Sequence, residues 1–489
     1  MNGGGTASGL EPTICQVGSH AALPRRRIEQ GARSRIRAAR ASRGCRIAVL
    51  DDDPTGSQAV HDVTVVTEVN AAEVEAGLRE PGSTCFVLTN SRSMSETDAV
   101  ELNRDAGRML LELGERLQAP IEIVSRGDST LRGHMIAEVH TLDQVRRQAT
   151  GRGFDGVLLA PAYFEAGRCT VGDVHYARVR GEWVPAGETE FARDATFGYR
   201  ASNLRDFIVE RSKGRVAAED VRSIELEDIR LGGPRRVGEI LRGVSGGAFV
   251  IVNATEYADF EVVVLGLLEA EEAGCSFLHR SGPSFVRALA GLDPQPPLTA
   301  GDLWPSGAPR GHGLLVAGSH SSLTTEQLEA VRARGEFADV ELDVEHVLDS
   351  SRRGRYLEAV ARRVCAALAE ADVLLSSSRQ QVLDSETGDH LSIARVISSA
   401  LVEVVVRARV AQPAWVLAKG GITAHDVAVR GLEIRRATVV GQLLPGMVTV
   451  IRPVRAATEV IGMPYVIFAG NVGDGETLCQ VINVMRGAV

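Results

Sequence analysis

Three consecutive aspartates, Asp51, Asp52 and Asp53, follow the apolar run IAVL (47–50) and precede Pro54, Thr55 and Gly56. A short apolar run of this kind reads as a buried strand, and its carboxyl end is where open α/β sheets bind ligands. Adjacent carboxylates repel one another, so a purely structural site gains little from three of them. A site for hydroxyls, a cation or a proton in transfer gains more. Pro54 and Gly56 punctuate a turn that would hold Asp52, Asp53 and Thr55 in fixed positions. The stretch SRGDSTLRG (125–133) repeats the theme after IEIV (121–124), with Asp128, Ser129, Thr130 and Arg132 in one turn before a helix. Its guanidinium can clamp a carboxylate through two parallel hydrogen bonds, and the helix amino terminus adds anion affinity. A third run ends in Asn90, Ser91 and Arg92. Taken together, these strand ends suit a polyhydroxy acid. Asp53 and Asp128 are the catalytic candidates, because general-base chemistry needs a positioned carboxylate. Asp52, Thr55, Asn90, Ser91, Arg92, Ser129, Thr130 and Arg132 are the candidate substrate ligands.

The second half carries a different chemistry. AKGGIT (418–423) follows an apolar run and opens a helix, and so do VAGSHSSLT (316–324) and FAGNVGDG (468–475). Paired glycines let backbone amides approach phosphate oxygens, and the helix dipole that follows favours negative charge. Three such turns in one region point to a nucleotide phosphate site made of Ser319, Lys419, Gly420, Gly421, Ile422, Thr423, Gly470 and Asn471. Lys419 stands out because the chain has only one other lysine, Lys213.

Other patterns lead nowhere. GRGFDG (151–156) precedes a strand instead of following one, and no G-x-x-x-x-G-K-[ST] is present. The histidines form no H-x-x-x-H pair, so no metal site is read; His134 and His425 read as helix-surface or cap residues. Asp51-x-Asp53-x-Thr55 has the DxDxT form of haloacid-dehalogenase-like phosphatases, but the later acidic pair those enzymes need for magnesium is missing.

The elements that must position these groups alternate strand and helix. Runs at 47–50, 63–66, 85–88, 121–124 and 157–161 read as strands, with helices over 95–118 (Ser95 as N-cap, Asp98 at N3) and 134–149. Residues 172–185 read as a hairpin turning at Arg180-Gly181, and 248–252 and 275–278 add strands. Residues 291–311 hold five of the 18 prolines, which is a linker composition. After it come strands at 313–319, 373–378, 414–421, 438–441 and 464–470, with helices from about 323 and over 392–409. The fold class is therefore α/β, with two domains, each a mainly parallel sheet flanked by helices. The first spans 45–290, the linker 291–311 and the second 312–489. Residues 1–44 are rich in Gly, Ala, Ser and Arg and read as a disordered Arg-rich leader; the composition also fits a transit peptide or an over-long translation start.

The 489 residues are ample for two domains, and 44% hydrophobic with 24% charged residues is ordinary globular composition. A net charge of −9 without a basic patch in the folded part argues against nucleic acid as a partner. No apolar stretch is long enough to span a bilayer. Seven scattered cysteines without CxxC spacing argue against a disulfide framework or a zinc site and for a reduced cytoplasm. A homo-oligomer is compatible with this reading.

Jointly, DDDPTG (51–56), TNSR (89–92), SRGDSTLRG (125–133), PAYFEAGRCTVGDVHY (161–176), TEFARDATFGY (189–199), GSHSSLT (318–324), KGGIT (419–423), GQLLPGM (441–447) and AGNVGDG (469–475) resemble the four-carbon acid sugar kinase family. The resemblance covers about residues 46–487. It implies an N-terminal sugar-binding domain, a C-terminal nucleotide-binding domain, and ATP-dependent phosphorylation of a terminal hydroxyl on a tetronate or 3-oxo-tetronate, with Mg2+. Many members have an acidic residue after the C-terminal Gly-Gly, where this chain has Ile422. Many also have a Lys-Ser-Gly-Gly type turn where it has Ala469-Gly470-Asn471, so it is similar to a subgroup with GGIT and GNVG. A sugar phosphatase and a non-catalytic sugar-acid sensor are the competing readings.

Overall fold

The structure is a computed structural model that describes residues 23–53, 56–318, 321–378, 390–470 and 472–487. Thr55, Ser319 and Asn471 lie outside the described residues.

The apolar runs become strands buried on both faces, as a parallel sheet covered by helices requires. The first half contributes Arg46–Asp51 (β1), Thr64–Val66 (β2), Thr84–Leu88 (β3), Ile121–Arg126 (β4), Gly156–Ala160 (β5), Arg168–Val171 (β6), Val174–Val179 (β7), Glu182–Pro185 (β8), Arg222–Ile224 (β9), Ala248–Val252 (β10) and Phe277–Ser281 (β11). The second half adds Leu314–Ala317 (β12), Phe337–Leu342 (β13), Asp372–Ser377 (β14), Val416–Lys419 (β15), Arg436–Leu444 (β16), Val448–Arg455 (β17) and Tyr465–Phe468 (β18). β1 lies centrally between β3 and β4, parallel to both, and every one of its residues is buried. Helices form where the 3.6-residue pattern and caps place them. Glu96–Leu117 starts at Ser95, whose Oγ accepts from the Asp98 amide, and Met135–Thr150 follows the SRGDSTLRG turn.

Among the described residues the two halves share one sheet, in the order β13-β14-β12-β15-β18-β17-β16-β2-β3-β1-β4-β11-β5-β10-β9. The sheets expected to be separate are joined by antiparallel pairing of Arg436–Thr438 with Thr64–Val66. Period-2 patterning over 438–441 reveals only a fragment of this ribbon, because β-bulges interrupt β16 between Val439 and Gly441 and between Gln442 and Leu444. The ribbon's turn reaches back to the first half, where Tyr163 Oη donates to the Gly446 carbonyl. Val448, just beyond that turn, pairs with Phe468 at the end of β18. The proline-rich segment is not a free tether. Gln295 Nε2 donates to Val440 O and Leu298 N to Gln442 O, so it lies along the ribbon.

A correction concerns the leader, because residues 32–42 form a helix. Ala32 and Ile36 are buried, and Arg40 is 1% exposed, with Nε donating to Leu289 O and Nη1 paired with Glu122. Arg33 and Arg43 pair with Glu261 and Glu271. Composition conceals this helix because its arginines bind carboxylates far away in sequence.

Candidate active site

β1, β3 and β4 are neighbours, so their carboxyl ends bring DDDPTG, TNSR and SRGDSTLRG together, as expected. Asp51 is fully buried; Oδ1 accepts from Arg126 Nη1 at 2.9 Å and from the Asp53 amide at 3.0 Å. Burial pushes its pKa up to about 6 against the pull of Arg126. A Cβ on Gly56 would fall inside this carboxylate, which is why the turn needs glycine there. Asp51 therefore anchors the loop that presents Asp52 and Asp53.

Asp52 is 2% exposed, and neither of its carboxylate oxygens has a hydrogen-bond partner among the described residues. Arg280 Nη2 lies 3.6 Å and Arg92 Nη1 3.9 Å away. Burial raises its pKa and the two arginines only partly offset that. Asp53 is more exposed and pairs with Arg92. Burial of Asp128 would raise its pKa, but Arg92 and Arg132 hold it below the usual carboxylate range. It accepts from the Thr130 amide and hydroxyl and from Arg132 Nε at 2.6 Å. A carboxylate with so many donors is a weak proton acceptor. Asp128 is better suited to holding the two arginines than to being the base.

Several expected substrate ligands are used internally instead. Ser91 is fully buried and donates to Glu138 Oε1 at 2.5 Å. The Thr130 hydroxyl is spent on Asp128 and its carbonyl on Tyr199 Oη. Arg132 was expected to clamp a carboxylate of the substrate; its Nε and Nη1 instead bind Asp128 and Asp194. Asn90 sits at φ 50° and opens a short 3-10 turn. Ser129 keeps its hydroxyl on Arg168 Nη1 at 3.1 Å.

Groups that sequence reasoning did not single out complete the arrangement. Arg280, at the end of β11, bonds Ser125 and Glu138 and lies against Gly127, where a Cβ would collide with its guanidinium. The β6–β7 excursion supplies Arg168 and His175. Burial lowers the His175 pKa to about 4, so the ring is neutral; Nε2–H donates to Ser129 O and Nδ1 accepts from Thr170 Oγ1. The 189–199 segment adds Asp194 and Phe191, whose ring lies near both Arg132 and Arg168. Polar residues inside an otherwise apolar strand (His279, Arg280, Ser281) were the one available signal for Arg280.

In the second half β12, β15 and β18 run side by side, so Ala317, Lys419 and Phe468 are in register and the three glycine turns adjoin. Gly420 adopts φ 109°, ψ 138°, which favours glycine, and a Cβ on Gly421 would meet nothing within 4 Å. The strained position is thus Gly420, and Gly421 leaves open space at a helix start. Ile422 is exposed, whereas Thr423 is buried against Gly318. Ser321 caps the helix Ser322–Ala333, and its hydroxyl and that of Thr324 reach Gly470 O. Lys419 is buried; Nζ donates to Ala469 O and Gly470 O at 2.8 and 3.0 Å and lies 3.9 Å from the Phe468 ring centroid.

Glu122, Glu271 and His279 are the one group of metal-competent side chains found among the described residues, and they lie by the amino end of β4, away from both clusters. No helix among the described residues is long and apolar enough to cross a membrane.

Comparison with known proteins agrees with this two-part arrangement. Residues 47–289 match a family model described as a sugar-binding N-terminal domain, and residues 314–478 one described as a nucleotide-binding C-terminal domain. The chain is 26% identical over 461 residues to a D-threonate kinase of Salmonella typhimurium, covering 89% of this chain and 97% of that one. It is 24% identical over 467 residues to a D-erythronate kinase of Heliobacterium modesticaldum, covering 90% and 97%. Among solved structures, one from Salmonella typhimurium LT2 described as a tRNA synthase superposes with a TM-score of 0.66 at 16% identity, covering 89% of this chain and 98% of that one. A Haemophilus influenzae protein superposes with a TM-score of 0.62 at 16% identity, covering 90% and 100%. These two show the fold alone. The chain belongs to the four-carbon acid sugar kinase family and is a phosphotransferase that acts on a hydroxyl group of a sugar acid.

Proposed function

We propose that this protein transfers the γ-phosphoryl group of ATP to a terminal hydroxyl of a four-carbon sugar acid, a tetronate or 3-oxo-tetronate. The observation that carries the reading is the pairing of one polar strand-end cluster (Asp52, Asp53, Arg92, Asp128) with three adjoining glycine turns around Lys419. Phosphoryl transfer asks for little else than positioning and charge stabilisation. In this assignment Asp53, the most exposed of the three consecutive aspartates, orients the acceptor hydroxyl and takes its proton. Asp128 fixes Arg92 and Arg132, and Arg92 spans Asp52, Asp53 and Asp128. The Gly420, Gly421 and Gly470 turns and Lys419 receive the phosphates. Magnesium arrives with ATP, held mainly by phosphates, water and one or two carboxylates. The Tyr163–Gly446 contact supports closure of one half on the other, which would exclude water from the transfer.

The phosphatase reading fares worse. An aspartyl nucleophile must be accessible, and Asp51, the first aspartate of the DxDxT pattern, is fully buried against Arg126. A reduced cytoplasmic setting fits six described cysteines that are all free thiols. A coupled assay of ADP release across a panel of sugar acids tests the proposal. Release with tetronates or 3-oxo-tetronates is expected; release with none of the panel refutes it.

A further inference from the structure

Arg168 is the one guanidinium of the polar cleft without a carboxylate partner among the described residues. Arg92, Arg126, Arg132 and Arg280 each have at least one. Its Nη1 donates to Ser129 Oγ at 3.1 Å, and its Nε is buried with no hydrogen-bond partner. Nη2 makes no hydrogen bond among the described residues either, so the whole Nε–Nη2 edge is free. That edge is the fork that grips a carboxylate through two parallel hydrogen bonds. Its stem is held in β6, paired with β7, and the guanidinium stands over the rings of Tyr163 and Phe191 at 5.9 and 5.6 Å. Burial lowers the Arg168 pKa, because charge is disfavoured where water is excluded, yet an arginine stays protonated. Arg168 as a whole is half-buried, but its Nε is shut off from water, and a permanent charge left without a countercharge there is costly unless a ligand completes it.

We infer that Arg168 is the receptor for the carboxylate of the sugar acid and thereby decides which end of the substrate faces the phosphoryl donor. This rests on the proposed sugar-acid kinase activity and moves the carboxylate anchor from Arg132 to Arg168. The Ser129 hydroxyl accepts from Arg168 and retains its own proton for the same carboxylate. His175, bonded to the Ser129 carbonyl, keeps that residue in place.

The test uses the full chain, wild type and Arg168→Gln, with D-erythronate and D-threonate as acids and erythritol and threitol as their uncharged counterparts. Arg168→Gln should raise the acid KM by about 100-fold or more, as removal of one partner of a buried charge pair does. The ATP KM should stay unchanged, and the preference for acid over tetritol should collapse. Arg168→Lys should recover little, since it keeps the charge and loses the fork. Arg168→Met, which retains packing on Tyr163 and Phe191, answers the same question if the Gln variant is destabilised. Calorimetry of acid binding reads the anchor without turnover. Equal acid affinity in wild type and variants, or an undiminished preference for acid over tetritol, overturns the assignment. Wild type that binds the acid but releases no ADP refutes the kinase reading and leaves the calorimetric comparison valid.

Discussion

Raising the pH from 7 to 9 should weaken ATP binding about 50-fold if the Lys419 ammonium receives a phosphate. The reasoning starts from burial. Lys419 has no solvent exposure, two carbonyl acceptors, an aromatic ring beneath it, and no carboxylate paired with it among the described residues. Desolvation disfavours the charged form and brings its pKa from 10.5 down to about 7. A phosphate oxygen beside Nζ would restore the missing countercharge and raise the pKa again, so the protonated form binds preferentially. The protonated fraction of the free protein falls from about one half at pH 7 to about one in a hundred at pH 9, which gives the 50-fold loss, or about 2.3 kcal/mol. The same linkage fixes the sign for stability. The folded pKa lies below the unfolded one, so the unfolded chain holds more protons between pH 7 and 10.5. Stability of the free protein from this group therefore rises with pH across that window, by at most about 5 kcal/mol. Calorimetry with a non-hydrolysable ATP analogue, at several pH values and in buffers of different ionisation enthalpy, measures affinity and proton uptake together. Lys419→Arg remains charged throughout and serves as the control for ionisation of the nucleotide. Wild-type affinity that is flat from pH 7 to 9, or that follows the Arg variant, would refute the placement of Lys419 against phosphate.

Other outcomes follow from the same geometry. Asp53→Asn should lower kcat by about 10²–10⁴-fold, the usual loss for a general base, with an unchanged melting temperature because the side chain is partly exposed; near-normal kcat removes it from the chemistry. Gly421→Val should raise the ATP KM without lowering the melting temperature, since its Cβ meets nothing in the protein, whereas Gly420→Val, at φ 109°, should lose roughly 1–3 kcal/mol of stability. The reverse pattern in thermal melts would move the cradle away from Gly421. Arg40→Ala removes the buried member of its ion pair with the half-buried Glu122 and should cost about 3 kcal/mol in a urea melt while leaving KM values intact; an unchanged midpoint would mean that the helix 32–42 is not docked.

The sequence alone determined the elements and the chemistry of their ends. Runs such as IAVL and IEIV are apolar without alternation, which only a strand buried on both faces explains, and the Ser95 cap marks its helix within the sequence. The polar groups at the ends of β1, β3 and β4, and the adjoining glycine turns of β12, β15 and β18, follow from the same local signals. Which carboxylate each arginine meets does not. Arg280 reaches Glu138 across 142 residues, Ser91 turns inward to that same carboxylate, and Arg132 is consumed by Asp128 and Asp194. The Arg-rich stretch 32–42 looks unstructured by composition and is docked by Glu122, Glu261 and Glu271. Hydrogen-bond periodicity is local and leaves a trace in neighbouring residues, whereas charge pairing and strand order depend on which distant segments the closed sheet makes adjacent. Only the tertiary structure could therefore show that, among the described residues, the Nε–Nη2 edge of Arg168 is left unbonded while Arg132 is held by Asp128 and Asp194.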